Sequence, residues 1–77
     1  MSSLTVHVFD KKENPVSGKR VFCSFPHTCS HSNRYTDQDG TADFDRVPVG
    51  SVEIFVEGEK IEVSVGQNDH EDVTFSI

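Results

Sequence analysis

Residues 23 to 31, CSFPHTCSH, hold both cysteines of the chain and two of its four histidines. Cys23, His27, Cys29 and His31 are two thiols and two imidazoles, the soft donors that Zn²⁺ or Cu⁺ takes. Their spacing, C-x3-H-x-C-x-H, follows no standard zinc pattern. If residues 27 to 31 are extended, His27, Cys29 and His31 face one side at intervals of roughly 6.6 Å. Zinc bonds of about 2.0–2.3 Å need closer convergence, so a metal site requires the segment to curl. Two other chemistries compete for the same residues. A Cys23–Cys29 disulfide closes a loop of about seven residues and contributes on the order of 2.4 kcal/mol in the chain-entropy account. A reducing compartment opposes that bond. The third reading is favoured: Cys23 buried as a small hydrophobe, Cys29 exposed in a loop, both reduced.

The acidic run DQDGTADFD raises Ca²⁺ as a second possibility, through Asp37, Asp39, Asp43 and Asp45. It lacks the third acidic or amide residue before the glycine and the downstream Glu of a calcium loop. The simpler expectation is that Asp37 and Asp39 bond their own backbone in a turn while Asp43 and Asp45 face water. For catalysis the sequence offers scattered His7, His27, His31 and His70. It shows no nucleophile on a strained elbow and no base paired with an orienting carboxylate. The expectation is a protein that is not an enzyme.

The elements that position these residues follow from a period of two. In LTVHVF, Leu4, Val6 and Val8 share one face. In RVFCSF, Val21, Cys23 and Phe25 do. SVEIFVEGEKIEVSV reads as a hairpin, with Val52, Ile54 and Val56 inward, a bend at Glu57-Gly58-Glu59, and Ile61, Val63 and Val65 returning. VTFSI aligns Val73, Phe75 and Ile77. NPVSG, VPVG and GQNDHED supply turn residues, and Asp37, Asp39 and Gly40 mark a tight turn between short strands. No stretch has helical spacing with caps. The expected fold is a single all-β domain over residues 1–77, a six- to seven-stranded Ig-like or prealbumin-like antiparallel sandwich.

With 77 residues the chain buries only about 60% of its unfolded surface, which leaves a thin core and little room for an enclosed pocket. Seven Lys and Arg stand against thirteen Asp and Glu, a net charge of −6. That charge repels phosphate backbones and anionic lipid, which argues against nucleic acid and membrane surfaces as partners. No apolar run reaches the ~20 residues of a membrane span, and MSSLTVHVFD has no signal-peptide pattern. The expected location is cytoplasmic for a chain complete as written, and extracellular for a module excised from an exported protein.

The frame LTVHVFD, NPVSGKRVFCSF, YTDQDGTADFDRVPVGSVEIFVEG resembles the carboxypeptidase regulatory-like and transthyretin-like sandwiches, and is similar to collagen-adhesin B-type repeats. The first strand ending at Asp10, the NPVSG turn, the TDQDG turn and the F-x-x-V-P-x-G corner from Phe44 to Gly50 carry the likeness. Fold does not dictate function in such a group. The resemblance implies two activities that the residues argue against. Hydroxyisourate hydrolases of this kind end in a YRGS-type motif, whereas this chain ends VTFSI. Adhesin repeats that form an isopeptide bond place a Lys in the first strand, and LTVHVF has none.

The alternation also turns Phe9, Phe22 and Phe55 outward. Three phenylalanines on one sheet face make an apolar patch of the kind that marks an interaction site. A one-residue slip of register would exchange the faces. The functional expectation is therefore a small, acidic, non-catalytic binding or protein-interaction module, with a protein partner or self-association. The alternative is a Zn- or Cu-binding protein using the Cys/His loop; the main reading needs no cofactor.

Overall fold

The structure is a computed structural model and describes residues 2–77. Seven strands form two packed sheets: β1 (Ser2–Phe9), β2 (Arg20–Phe25), β3 (Ser30–Tyr35), β4 (Thr41–Val47), β5 (Gly50–Val56), β6 (Glu59–Val65) and β7 (His70–Ser76). A 3₁₀ turn, Pro26–Thr28, joins β2 to β3. The sheets have the orders β4-β1-β7 and β3-β2-β5-β6. This is the all-β sandwich expected from the alternation.

The inward residues of each strand meet in one cluster. Leu4, Val6 and Val8 of β1 face Val21 and Cys23 of β2, with Val52, Ile54 and Val56 of β5, and all eight are buried. Phe44, Val73 and Phe75 complete the core, while Ile61, Val63 and Ile77 are half-buried at its rim. Every buried side-chain nitrogen or oxygen among the described residues has a hydrogen-bond partner. That is needed in a core this thin, because an orphaned polar group costs about 1–3 kcal/mol.

The structure departs from the sequence reading in three places. The β1–β7 ladder is parallel, pairing Ser3 with His70 through Phe9 with Ser76, whereas the other ladders are antiparallel. A parallel pair needs a long crossover, and the whole chain between β1 and β7 supplies it. Second, SHSNRY is a strand and not a loop. It is the outer strand β3, exposed on nearly every residue, so no apolar alternation announces it. Third, the turn at Asp37 to Gly40 joins strands of different sheets, β3 and β4, so it is a crossing between layers. Asp37 holds that crossing: its Oδ1 accepts the backbone N–H of Asp39 at 2.9 Å and of Thr41 at 3.1 Å. Asp10 does the same after β1, accepting the N–H of Lys12 and of Asn14. The backbone N–H of Asn14 holds the Asp10 carboxyl below its usual range. The β5–β6 hairpin closes through two residues, Glu57 and Gly58, both at positive φ as primed turns require.

Candidate interaction site on the four-stranded sheet

Strand pairing decides which outward side chains become neighbours. Phe22 of β2 is registered against Phe55 of β5, and their rings lie 5.9 Å apart at a tilt of 48°. On the other side Arg20 pairs with Tyr35 and Phe22 with Asn33 across β2 and β3. The Arg20 guanidinium carbon sits 5.6 Å from the Phe22 ring centroid, and its Nε–H donates to Asn33 Oδ1 at 2.9 Å. The His31 ring packs against Phe22, with ring centroids 5.5 Å apart. Tyr35 is 67% exposed. Together Phe22, Phe55, Tyr35 and Arg20 line an open concavity of about 650 Å³. Its rim carries Lys19 and Glu57, paired at 2.6 Å. Next to it, a 2.9 Å ion pair joins Lys60 to Glu53 and raises the Lys60 pKa, chiefly through that hydrogen bond.

Phe9 does not belong to this face. It lies on β1, in the other sheet, where its ring stacks with His7 at 6.5 Å and borders a smaller hollow with Asp10, Glu13, Thr74 and Ser76. The expected trio is thus a pair plus one residue on the opposite side of the sandwich. Sequence alternation finds which residues point outward, but it cannot say which sheet a strand joins.

The Cys/His segment divides in a similar way. Cys23 is fully buried in the core, whereas Cys29 is exposed. His31 faces outward against Phe22, and the His27 ring lies over Gly50. The four donors therefore do not surround a common point, and no group of three or more metal-ligating residues is gathered among the described residues. The segment does curl, through the Pro26–Thr28 turn, but Cys23 points into the core while Cys29 and the histidines lie at the surface. Both thiols are free. Burial pushes the Cys23 thiol up to about 12, so it holds very little thiolate at neutral pH. A thiol-alkylating reagent at pH 8 is expected to add one label to the folded protein, at Cys29, and two after unfolding in urea. Two labels on the native protein within the same time would place Cys23 outside the core.

The sequence reading missed a second constellation, on the outer face of the three-stranded sheet. Ser3 Oγ lies 2.6 Å from His70 Nδ1. Asp72 Oδ1 lies 3.4 Å from His7 Nε2 and 3.5 Å from His70 Nε2. Thr5 Oγ1 donates to Asp43 Oδ1 at 2.8 Å. The parallel register brings Ser3 to His70 and Thr5 to Asp72. All these side chains could be seen to point outward from S-x-T-x-H and H-x-D, but their meeting depends on a ladder between chain ends. The group lies open to solvent on a sheet surface, where a carboxylate and imidazoles are well hydrated and exert little catalytic field.

No protein-family model matches the sequence, and no curated protein does. Among solved structures, the fold is similar to part of the Bacillus anthracis TIE protein, with a TM-score of 0.85 and 14% identity over 96% of this chain. The chain corresponds to only 16% of the length of that structure. At this identity the likeness establishes the all-β sandwich. Among the described residues, no helix is long and apolar enough to cross a membrane.

Proposed function

We propose that this chain is a small, acidic, non-catalytic β-sandwich module that binds a protein partner through the outer face of its four-stranded sheet. The observation that carries the reading is the concavity where Phe22 and Phe55 meet beside the exposed Tyr35 and Arg20. Aromatic residues and arginine are the side chains that dominate binding at protein interfaces, and they do so from well-defined hollows. The opposite face presents Thr5, Asp43, Asp72 and His70, a hydrated polar surface on which Phe9 stands beside a smaller hollow. The likeness to a portion of a much longer chain supports a modular role, as does the resemblance to carboxypeptidase regulatory-like, transthyretin-like and collagen-adhesin B-type sandwiches. The scattering of Cys23, His27, Cys29 and His31 supports this reading over the metal-binding alternative.

A photo-crosslinking amino acid placed at position 55 tests the reading in the organism that makes the protein. A benzophenone there is expected to give a discrete adduct of higher mass, weakened by Phe22→Ser. The same group at position 74, on the three-stranded sheet, is expected to give none. Equal adducts from both faces, or none from position 55, would remove the four-stranded face as the contact surface.

A further inference from the structure

Building on that contact face, we infer that Arg20 is a carboxylate receptor, and that the segment it takes is an acidic peptide carrying an aromatic side chain next to the carboxylate. Around this face the other cations are already matched. Lys19 is paired with Glu57 at 2.6 Å and Lys60 with Glu53 at 2.9 Å. Arg20 has no carboxylate partner among the described residues. Its Nε donates to Asn33, and neither terminal nitrogen is hydrogen-bonded to any described residue.

The guanidinium is nonetheless held in place. The Asn33 hydrogen bond fixes one edge of the plane, and the Phe22 ring lies beneath it at 5.6 Å. A planar fork so held has less conformational freedom to lose when a ligand arrives, and its open edge presents the paired N–H donors that match a carboxylate. Phe22, Phe55 and Tyr35 line the hollow alongside. A carboxylate alone at such an open site is weakly bound because water and salt screen it. An aromatic neighbour on the ligand adds contact area and an edge-to-face partner for Phe55, which makes the two together specific. Charge points the same way. The concavity is lined by two cations, Lys19 and Arg20, and one anion, Glu57, on a chain whose net charge is −6. Farther along the same sheet Glu53 and Glu62 lie beside Lys60, so the local excess of positive charge on this face is confined to the hollow at Arg20, and that is where an acidic segment is drawn.

Titration with blocked pentapeptides, followed by amide and arginine Nε–H resonances, tests this. The probes are Gly-Asp-Phe-Asp-Gly, its lysine counterpart Gly-Lys-Phe-Lys-Gly, and Gly-Asp-Gly-Asp-Gly. The first is expected to shift the Arg20 Nε–H and the amides of residues 20–22, 33–35 and 55. The other two are expected to bind roughly tenfold more weakly, the loss of one good charged contact or one ring contact. Arg20→Gln is expected to weaken the first probe by a similar factor. Arg20→Lys, which keeps the charge but not the fork, should recover only part. Both variants alter an exposed side chain, and their own spectra show that the fold persists. Equal binding of the lysine peptide, unchanged affinity in Arg20→Gln, or no shift at these resonances would overturn the carboxylate receptor. If Phe55→Ser abolishes binding while Arg20→Gln does not, the contact face survives and the receptor falls. Shifts confined to Ser3, Thr5 and His70 would remove both.

Discussion

Replacing Leu4 by Ala is expected to lower the free energy of unfolding by about 3 kcal/mol, the middle of the range for a buried Leu truncated in a packed core. Leu4 is fully buried on β1, the central strand of the three-stranded sheet, and is registered against Phe44 of β4 and Glu71 of β7. Its side chain has no solvent-facing side into which neighbours can relax, so the cavity term adds to the lost transfer energy. A chain of 77 residues has a total stability of roughly 4–12 kcal/mol, at about 0.05–0.15 kcal/mol per residue. The substitution therefore consumes a large share. With a urea slope of about 1 kcal/mol per molar for so small a domain, the midpoint should fall by about 3 M with the slope unchanged. Ile61→Ala, at the half-buried rim, is expected to shift it by less than half as much. Similar shifts for the two would mean that β1 is not the centre of its layer.

Gly40→Ala carries the second large effect, through the backbone. Gly40 has a φ of +71°, and an added Cβ would lie 2.7 Å from the Val8 carbonyl oxygen and 2.9 Å from the Val16 nitrogen. Those two atoms are themselves joined by a 3.0 Å hydrogen bond, and Val8 N–H donates to the Gly40 carbonyl at 2.8 Å. No flexible side-chain tip can give way there; the end of β1, the segment at Val16 and the crossing at Asp37 must move together. Left-handed backbone alone costs a residue with a Cβ about 1–2 kcal/mol, and the clash takes the expected total to about 3 kcal/mol. Gly58 offers the control. It also has positive φ, +80°, but an added Cβ meets nothing within 4 Å, so Gly58→Ala is expected to cost only about 1 kcal/mol. Thermal unfolding of the two variants side by side separates backbone strain from crowding. Equal losses would show that Gly40 is needed for its dihedral angle alone.

These two positions were legible in different degrees. Leu4 could be assigned to the core because alternation in LTVHVF is a local property of a strand with one wet face. Gly40 could be recognised as a turn residue from DQDG, but not as the point where two layers are joined. That role depends on β3 and β4 belonging to separate sheets, and no local pattern encodes it. β3 itself escaped because an outer strand exposed on both sides has no buried face to write into its sequence.

For the candidate site the division is sharper. Alternation along each strand is enough to turn Leu4, Val6, Val8, Val21, Cys23, Val52, Ile54 and Val56 inward, and Phe9, Phe22 and Phe55 outward. A strand's pleat sets this residue by residue, whatever its neighbours are. It takes the assembled sandwich to show that Phe22 meets Phe55 and Phe9 meets neither, that Arg20 lies on Phe22 with Asn33 at its side, and that Cys23 is separated from His27, Cys29 and His31. The same assembly brings Ser3 to His70 across the parallel ladder of β1 and β7. The physical reason is that contacts on one face of a sheet are set by strand order and register. Those in turn are chosen by how the whole set of apolar faces can be buried at once.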